Sequence, residues 1–135
     1  MKNYSTAMFA GKNKAEIRDY VQNYFTNNFQ GKLFVNKNKN IVISINKDSR
    51  RKTARPLMSK EKAIVVMDID NVLKNCIYTN WGNPKPSHIK NFGAKGFLNF
   101  QYKCLVDGVI KSFRISIMIK KNVTFQYSLE HNDKN

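Results

Sequence analysis

Long apolar runs are missing from this chain: no stretch approaches the roughly 20 consecutive apolar residues that a membrane-crossing helix requires. The N-terminus has no apolar core of the signal-peptide kind. Delivery to another compartment is therefore expected to depend on something outside these residues. Acidic residues are also scarce, nine Asp and Glu against 24 Lys and Arg, for a formal net charge of +15. A surplus of that size points to a polyanionic partner, and nucleic acid is the commonest. The two cysteines, Cys76 and Cys104, sit in apolar, strand-like contexts without metal-type spacing, which suits a reduced cytoplasmic environment. His88 and His131 are the only histidines. There is no Cys/His metal spacing, no phosphate-cradling Gly-rich loop and no nucleophile elbow, so neither metal nor cofactor is expected.

What is present is one core's worth of apolar residues, 41% of 135, which suits a single domain. The clearest pattern runs from 97 to 130. Leu98, Phe100, Tyr102, Cys104 and Val106 alternate on even positions, and Val109, Phe113, Ile115, Ile117 and Ile119 on odd ones. A two-residue Asp107-Gly108 turn between them pairs Val106 with Val109, Tyr102 with Phe113, Phe100 with Ile115 and Leu98 with Ile117. Both apolar sets then share one face. For a third strand over 123–130, a three-residue loop at 120–122 pairs Ile117 with Phe125, Ile115 with Tyr127 and Phe113 with Leu129. The opposite face of this meander carries Asn99, Gln101, Lys103, Ser112, Arg114, Ser116, Gln126, Ser128 and Glu130. In that register Arg114 lies between Gln101 and Ser128. A cation ringed by amides and hydroxyls on a sheet is either a solvated face or a phosphate-binding surface.

Upstream, residues 1–12 read as a leader, linker or frayed end, and 13–135 as the domain. A helix fits 13–28, with Asn13 as cap and Ile17, Tyr20, Val21, Tyr24 and Phe25 at helical spacing. A hairpin fits 32–35 and 41–46. One or two helical turns begin at Asp48 or Ser49 and end before Pro56. A second helix over 60–75 has Ala63, Val66, Ile69 and Leu73 as its inner stripe. Its Asp68 and Asp70 diverge on a helix and read as surface groups or anchors for nearby arginines. A short strand at 76–79 precedes an irregular loop over 81–88, which holds Trp81 and His88. From Lys37 to Lys62 there are nine Lys or Arg against two acids. This block, with Arg50, Arg51 and Arg55, is expected to contact a nucleic-acid backbone.

A single internal histidine, abundant cations and hydroxyls on a sheet are the groups a metal-independent ribonuclease uses. A base takes the 2′-hydroxyl proton, a cation stabilises the phosphorane and an acid protonates the leaving 5′-oxygen. The order of elements resembles one group of small nucleases. It runs helix, Gln30-Gly31-Lys32, a hairpin ending in Ile43-Ser44-Ile45, Ser49, Lys52-Thr53, a second helix into Asn75-Cys76-Ile77-Tyr78, then the meander. The group is the barnase/EndoU/colicin E5-D/RelE-like (BECR) nucleases of phage polyvalent proteins and bacterial polymorphic toxins. The resemblance covers roughly 15–130 and rests on loose motifs.

It implies an α+β fold, with N-terminal helices on an antiparallel sheet and a C-terminal three-stranded meander. It implies cleavage of RNA, often transfer RNA, leaving a 2′,3′-cyclic phosphate. The activity is that of a contact-dependent or secreted toxin C-terminus, acting in the target cell's cytoplasm and neutralised by an immunity protein, here expected to be acidic. The matching residue types are His88, Arg114, Lys52, Thr53 and Tyr127 for catalysis, with Ser128 beside them. Arg50, Arg51, Arg55, Lys103, Gln101, Ser128 and Trp81 are the RNA-binding candidates. Tyr127 is either a sheet-edge hydroxyl or, as the register has it, a structural side chain. Two other classes stay open. One is a non-catalytic nucleic-acid-binding module of a phage or mobile element, with Trp81 and Phe92 as stacking groups. The other is an interaction protein with an acidic partner.

Overall fold

A computed structural model of the chain describes residues 1–54, 58–120 and 125–131; the side chains of residues 48, 51, 52, 125–128, 130 and 131 stand outside the description. The fold is α+β, as expected. Its elements are β1 (Asn3–Tyr4), α1 (Lys14–Asn28), β2 (Leu33–Asn36), β3 (Ile41–Ser44), α2 (Lys47–Thr53), α3 (Lys60–Val66), α4 (Ile69–Asn75), β4 (Ile77–Gly82), α5 (Pro86–Phe92), β5 (Ala94–Val106), β6 (Val109–Lys120) and β7 (Phe125–His131). The main sheet runs β1-β5-β6-β7, with β4 on the β1 edge of β5, and β2–β3 form a separate ribbon.

The β5–β6 hairpin has the expected register, including Tyr102↔Phe113, Phe100↔Ile115 and Leu98↔Ile117. Asp107 and Gly108 both have positive φ, 50° and 79°, the conformation a tight two-residue turn between twisted strands demands. Phe100, Phe113, Ile115 and Ile117 are fully buried on the inner face. They meet Ile17, Val21 and Phe25 of α1 and the stripe Ala63, Val66, Ile69 and Leu73, all within the same core. In α1, Asn13 accepts from the Glu16 N–H at 2.9 Å and Glu16 returns the bond at 3.1 Å, a reciprocal cap. Tyr20, expected in the stripe, is 48% exposed.

Five expectations are corrected. β7 pairs two residues further along than the three-residue loop requires, with Ile117↔Tyr127, Ile115↔Leu129 and Phe113↔His131. A shift of two preserves which face each residue occupies, so alternation could not distinguish the registers. The neighbours of Arg114 are therefore Gln101 and Glu130, and Ser128 pairs with Ser116. The second helix is broken into α3 and α4 at Met67-Asp68. At the break the Asp68 carboxylate accepts from Lys2 Nζ at 2.7 Å, from the Tyr4 hydroxyl at 2.5 Å and from Asn71 Nδ2 at 3.1 Å, so its anchor is a lysine, a tyrosine and an amide, not an arginine. Within the 81–88 stretch only residues 83–85 are irregular. β4 continues to Gly82, and α5 starts at Pro86, a favoured first helical residue, and stops at left-handed Gly93, φ 64°. Finally, residues 1–12 are not frayed: β1 pairs with Leu105 and Val106, and Tyr4 and Phe9 are buried. The helical turns start at Lys47, capped by Asn46, and not at Asp48 or Ser49.

The Tyr4 and Tyr102 hydroxyls lie 2.7 Å apart, and burial raises both phenols above their usual value. The unfolded chain, with ordinary phenols near 10, releases these protons at a lower pH than the folded chain. Their stabilising contribution is thus complete below about pH 10 and is lost as pH rises beyond it. Denaturant melts across that range should steepen their loss of stability above about pH 10, and Tyr4→Phe should make the loss shallower. An identical slope in wild type and Tyr4→Phe would show that this hydroxyl pair is not responsible. Buried Cys76 and Cys104, pushed up to about 12 and about 11, add to the same trend, so the variant's slope does not reach zero.

Candidate functional site

On the outer face of β5 and β6, strand alternation places Asn99, Gln101 and Lys103 beside Ser116, Arg114 and Ser112. Part of this face is roofed by α5. The His88 ring stands edge-on to Phe97, centroids 5.1 Å apart and planes at 73°. Between α5 and the strands opens a cleft of ≈ 580 Å³ lined by His88, Arg114, Lys62, Lys85, Asn83, Asn99, Ser116, Phe97, Gly82 and Leu129. Three cations line it, and none of the described lining residues is a carboxylate. A site of that composition favours an anion carrying several acceptor oxygens.

Hydrogen bonds fix several of these groups. The Lys85 backbone N–H donates to His88 Nδ1 at 3.3 Å, so the neutral ring carries its proton on Nε2. Ser116 Oγ donates to Asn99 Oδ1 at 2.8 Å, and Gln101 Nε2 donates to Ser112 Oγ at 2.7 Å. The amide and hydroxyl orientations on this face are thereby set before anything binds.

Of the residues expected to act together, His88 and Arg114 share the cleft. Gln101 and exposed Lys103 lie on the same face, outside the cleft lining. Trp81 is elsewhere. It pairs with Leu98, whose side the outer-face residues alternate with, and its indole lies on Gly96, where an added Cβ would come within 2.0 Å of Cζ2. Thr53 is fully buried, and its hydroxyl has no hydrogen-bond partner among the described residues. Arg50 is on α2 with its Nε in the same condition. Arg51 and Lys52 belong to α2, and Tyr127 and Ser128 to β7, but their side chains lie outside the described residues, as does Arg55 altogether. Lys62, Lys85, Asn99 and Ser116 complete the cleft, and no sequence motif singled them out. Only the charge surplus hinted at the lysines, and only strand alternation at Asn99 and Ser116.

Among the described residues no group of three His, Cys, Asp or Glu is placed to hold a metal ion, and no helix is long and apolar enough to cross a membrane. The family model described as large polyvalent protein-associated domain 3 matches residues 12–127. Comparisons with curated proteins and with solved structures returned no match.

Proposed function

We propose, from the cleft and from the order of elements, that this chain, which belongs to the large polyvalent protein-associated domain 3 family, is a metal-independent endoribonuclease of the BECR kind, with transfer RNA as its expected substrate. The observation that carries this reading is the convergence of the one internal histidine with Arg114, Lys62 and Lys85 in a single cleft. The 2′-oxygen attacks the adjacent phosphorus and the bond to the 5′-oxygen breaks, leaving a 2′,3′-cyclic phosphate and a 5′-hydroxyl. His88 Nε2 takes the 2′-hydroxyl proton once the ring proton has moved to Nδ1, which releases the Lys85 N–H. The imidazolium, or water, returns a proton to the 5′-oxygen. Arg114 faces the charge that develops on the phosphorane, and Lys62 and Lys85 hold the flanking phosphates. Such chemistry requires no cofactor. Its setting would be the cytoplasm of a target cell reached as part of a larger secreted protein, with an acidic immunity protein to hold it in check.

Incubation with total bacterial RNA in EDTA tests the proposal on a denaturing gel. Discrete transfer-RNA fragments ending in cyclic phosphate are expected. Intact RNA, together with salt-sensitive binding, would replace the enzyme by a non-catalytic binding module. The exposed lysines and the net charge of +15 already suit that second reading.

A further inference from the structure

The β2–β3 ribbon turns an apolar face to solvent. Pairing of Leu33 with Ser44 and of Val35 with Val42 puts those four side chains on one side, and Phe34, Asn36, Ile41 and Ile43 on the other. The second set belongs to the interior: Asn36 and Ile43 are fully buried, and Phe34 and Ile41 pack against the core. A ribbon with one buried face ordinarily carries polar residues on the other. Here three of the four outward positions are aliphatic, with Leu33 66% exposed, Val35 49% and Val42 46%.

Cations surround that face. From Lys32 to Lys47 the sequence has four lysines, Lys32, Lys37, Lys39 and Lys47, and no Asp, Glu or Arg. All four are exposed. Lys32 precedes β2, Lys37 and Lys39 stand in the turn at the other end, and Lys47 opens α2 after β3. Lys74 of α4 adds another beside β2, its Nζ 5.9 Å from the Phe34 ring centroid. The patch is thus aliphatic at its centre and lysine at its rim. None of these residues lines the cleft that holds His88 and Arg114.

We propose that this face docks peripherally on an anionic lipid bilayer, with Leu33, Val35 and Val42 entering the boundary between headgroups and acyl chains and the lysines set against lipid phosphates. Charge and size select this occupant. A second copy would bring two chains of +15 together and press one lysine rim against another. A stable protein interface takes about 20 residues a side, anchored most often by Trp, Tyr or Arg. The ribbon offers four outward positions and none of those three residue types among them. A bilayer requires neither area nor fixed pairing: apolar burial and headgroup attraction add up group by group at a fluid surface. Lysine, a compact point charge without a planar fork, suits that diffuse layer. The ribbon and the cleft share no residue, so attachment does not depend on the RNA reading.

Co-sedimentation with lipid vesicles tests it, at about 0.15 M salt so that the long-range pull of the net charge is screened. Wild type should partition onto vesicles of equal parts phosphatidylglycerol and phosphatidylcholine, and about tenfold less or weaker still onto phosphatidylcholine alone. The triple variant Leu33→Thr/Val35→Thr/Val42→Thr keeps the charge and the strand preference of the ribbon, so its thermal melt should match wild type. Its partition onto the anionic vesicles should fall about tenfold or more. Lys37→Gln/Lys39→Gln leaves the strands untouched and should lose about fivefold per lysine. Val109→Thr/Ile110→Thr removes exposed aliphatic surface from the far hairpin and should bind as wild type does. Equal binding by the triple variant and wild type would leave only net charge at work and overturn the proposal. An equal loss in Val109→Thr/Ile110→Thr would do the same, as would wild type that ignores anionic vesicles or binds both kinds alike. A wild-type dimer in sedimentation equilibrium, lost in the triple variant, would overturn it by giving the face to a second copy.

Discussion

His88→Ala is expected to reduce RNA cleavage by roughly 10²–10⁴-fold, the usual worth of a positioned acid–base group. Stability should hardly change. The ring's 3.3 Å bond to a solvent-accessible turn and its edge contact to Phe97 are together worth about 1 kcal/mol. α5 keeps Pro86 at its start and Gly93 at its end. Thermal melts of the variant should therefore lie close to wild type while the gel shows intact RNA. Retained RNA affinity in the same protein would place the loss in chemistry and not in binding. The companion Arg114→Ala should lose about 10²–10³-fold if its guanidinium faces the developing phosphorane charge. Arg114→Lys should recover only part of it, because a point charge cannot form the paired bonds of the guanidinium. Full cleavage by His88→Ala would dismiss the assignment of this cleft as the catalytic centre.

Why some of this could be read beforehand and some not has a physical basis. The β5–β6 register was legible because two alternating apolar runs and an Asp-Gly turn specify the same pairing, so Arg114 was correctly set beside Gln101 on a polar face. The third strand was not fully legible. Slipping it by two keeps every residue on its face, and the sequence offers no second constraint on its turn. The pairing of His88 with that face was not derivable from local pattern. It depends on α5 folding back over Phe97, and Pro84 and Pro86 read equally well as loop punctuation or as a helix start. The break at Asp68 was hidden for a related reason. The helical stripe through Ala63, Val66, Ile69 and Leu73 is continuous, and only the tertiary bonds from Lys2 and Tyr4 draw Asp68 out of it. Residues 1–12 were misjudged because a two-residue parallel strand has no periodicity to display.

The same blindness applied at Asn36, the last residue of β2, whose burial ahead of an Asn-Lys turn no local pattern displays. Asn36→Ala is expected to cost about 3 kcal/mol, from one lost donor, one lost acceptor and the buried partners they leave behind. Asn36 is fully buried, and its Nδ2 donates to the Leu73 carbonyl at 2.8 Å and the Cys76 carbonyl at 3.0 Å. These are orphan carbonyls of the α4 terminus, which no helical N–H can reach. Its Oδ1 accepts from the Lys39 N–H at 2.8 Å. For a chain of this length the melting temperature should fall by about 10 °C or more. Asn36→Asp separates the two halves of the role: the acceptor for Lys39 survives, but a carboxylate then faces two carbonyls, so it should be at least as damaging as alanine. A loss under about 1 kcal/mol in Asn36→Ala would show that water satisfies both carbonyls as well as the amide does. Asn38 adds to the same junction by accepting from the Tyr78 N–H at 2.9 Å, so the two asparagines pin the end of α4 to the start of β4.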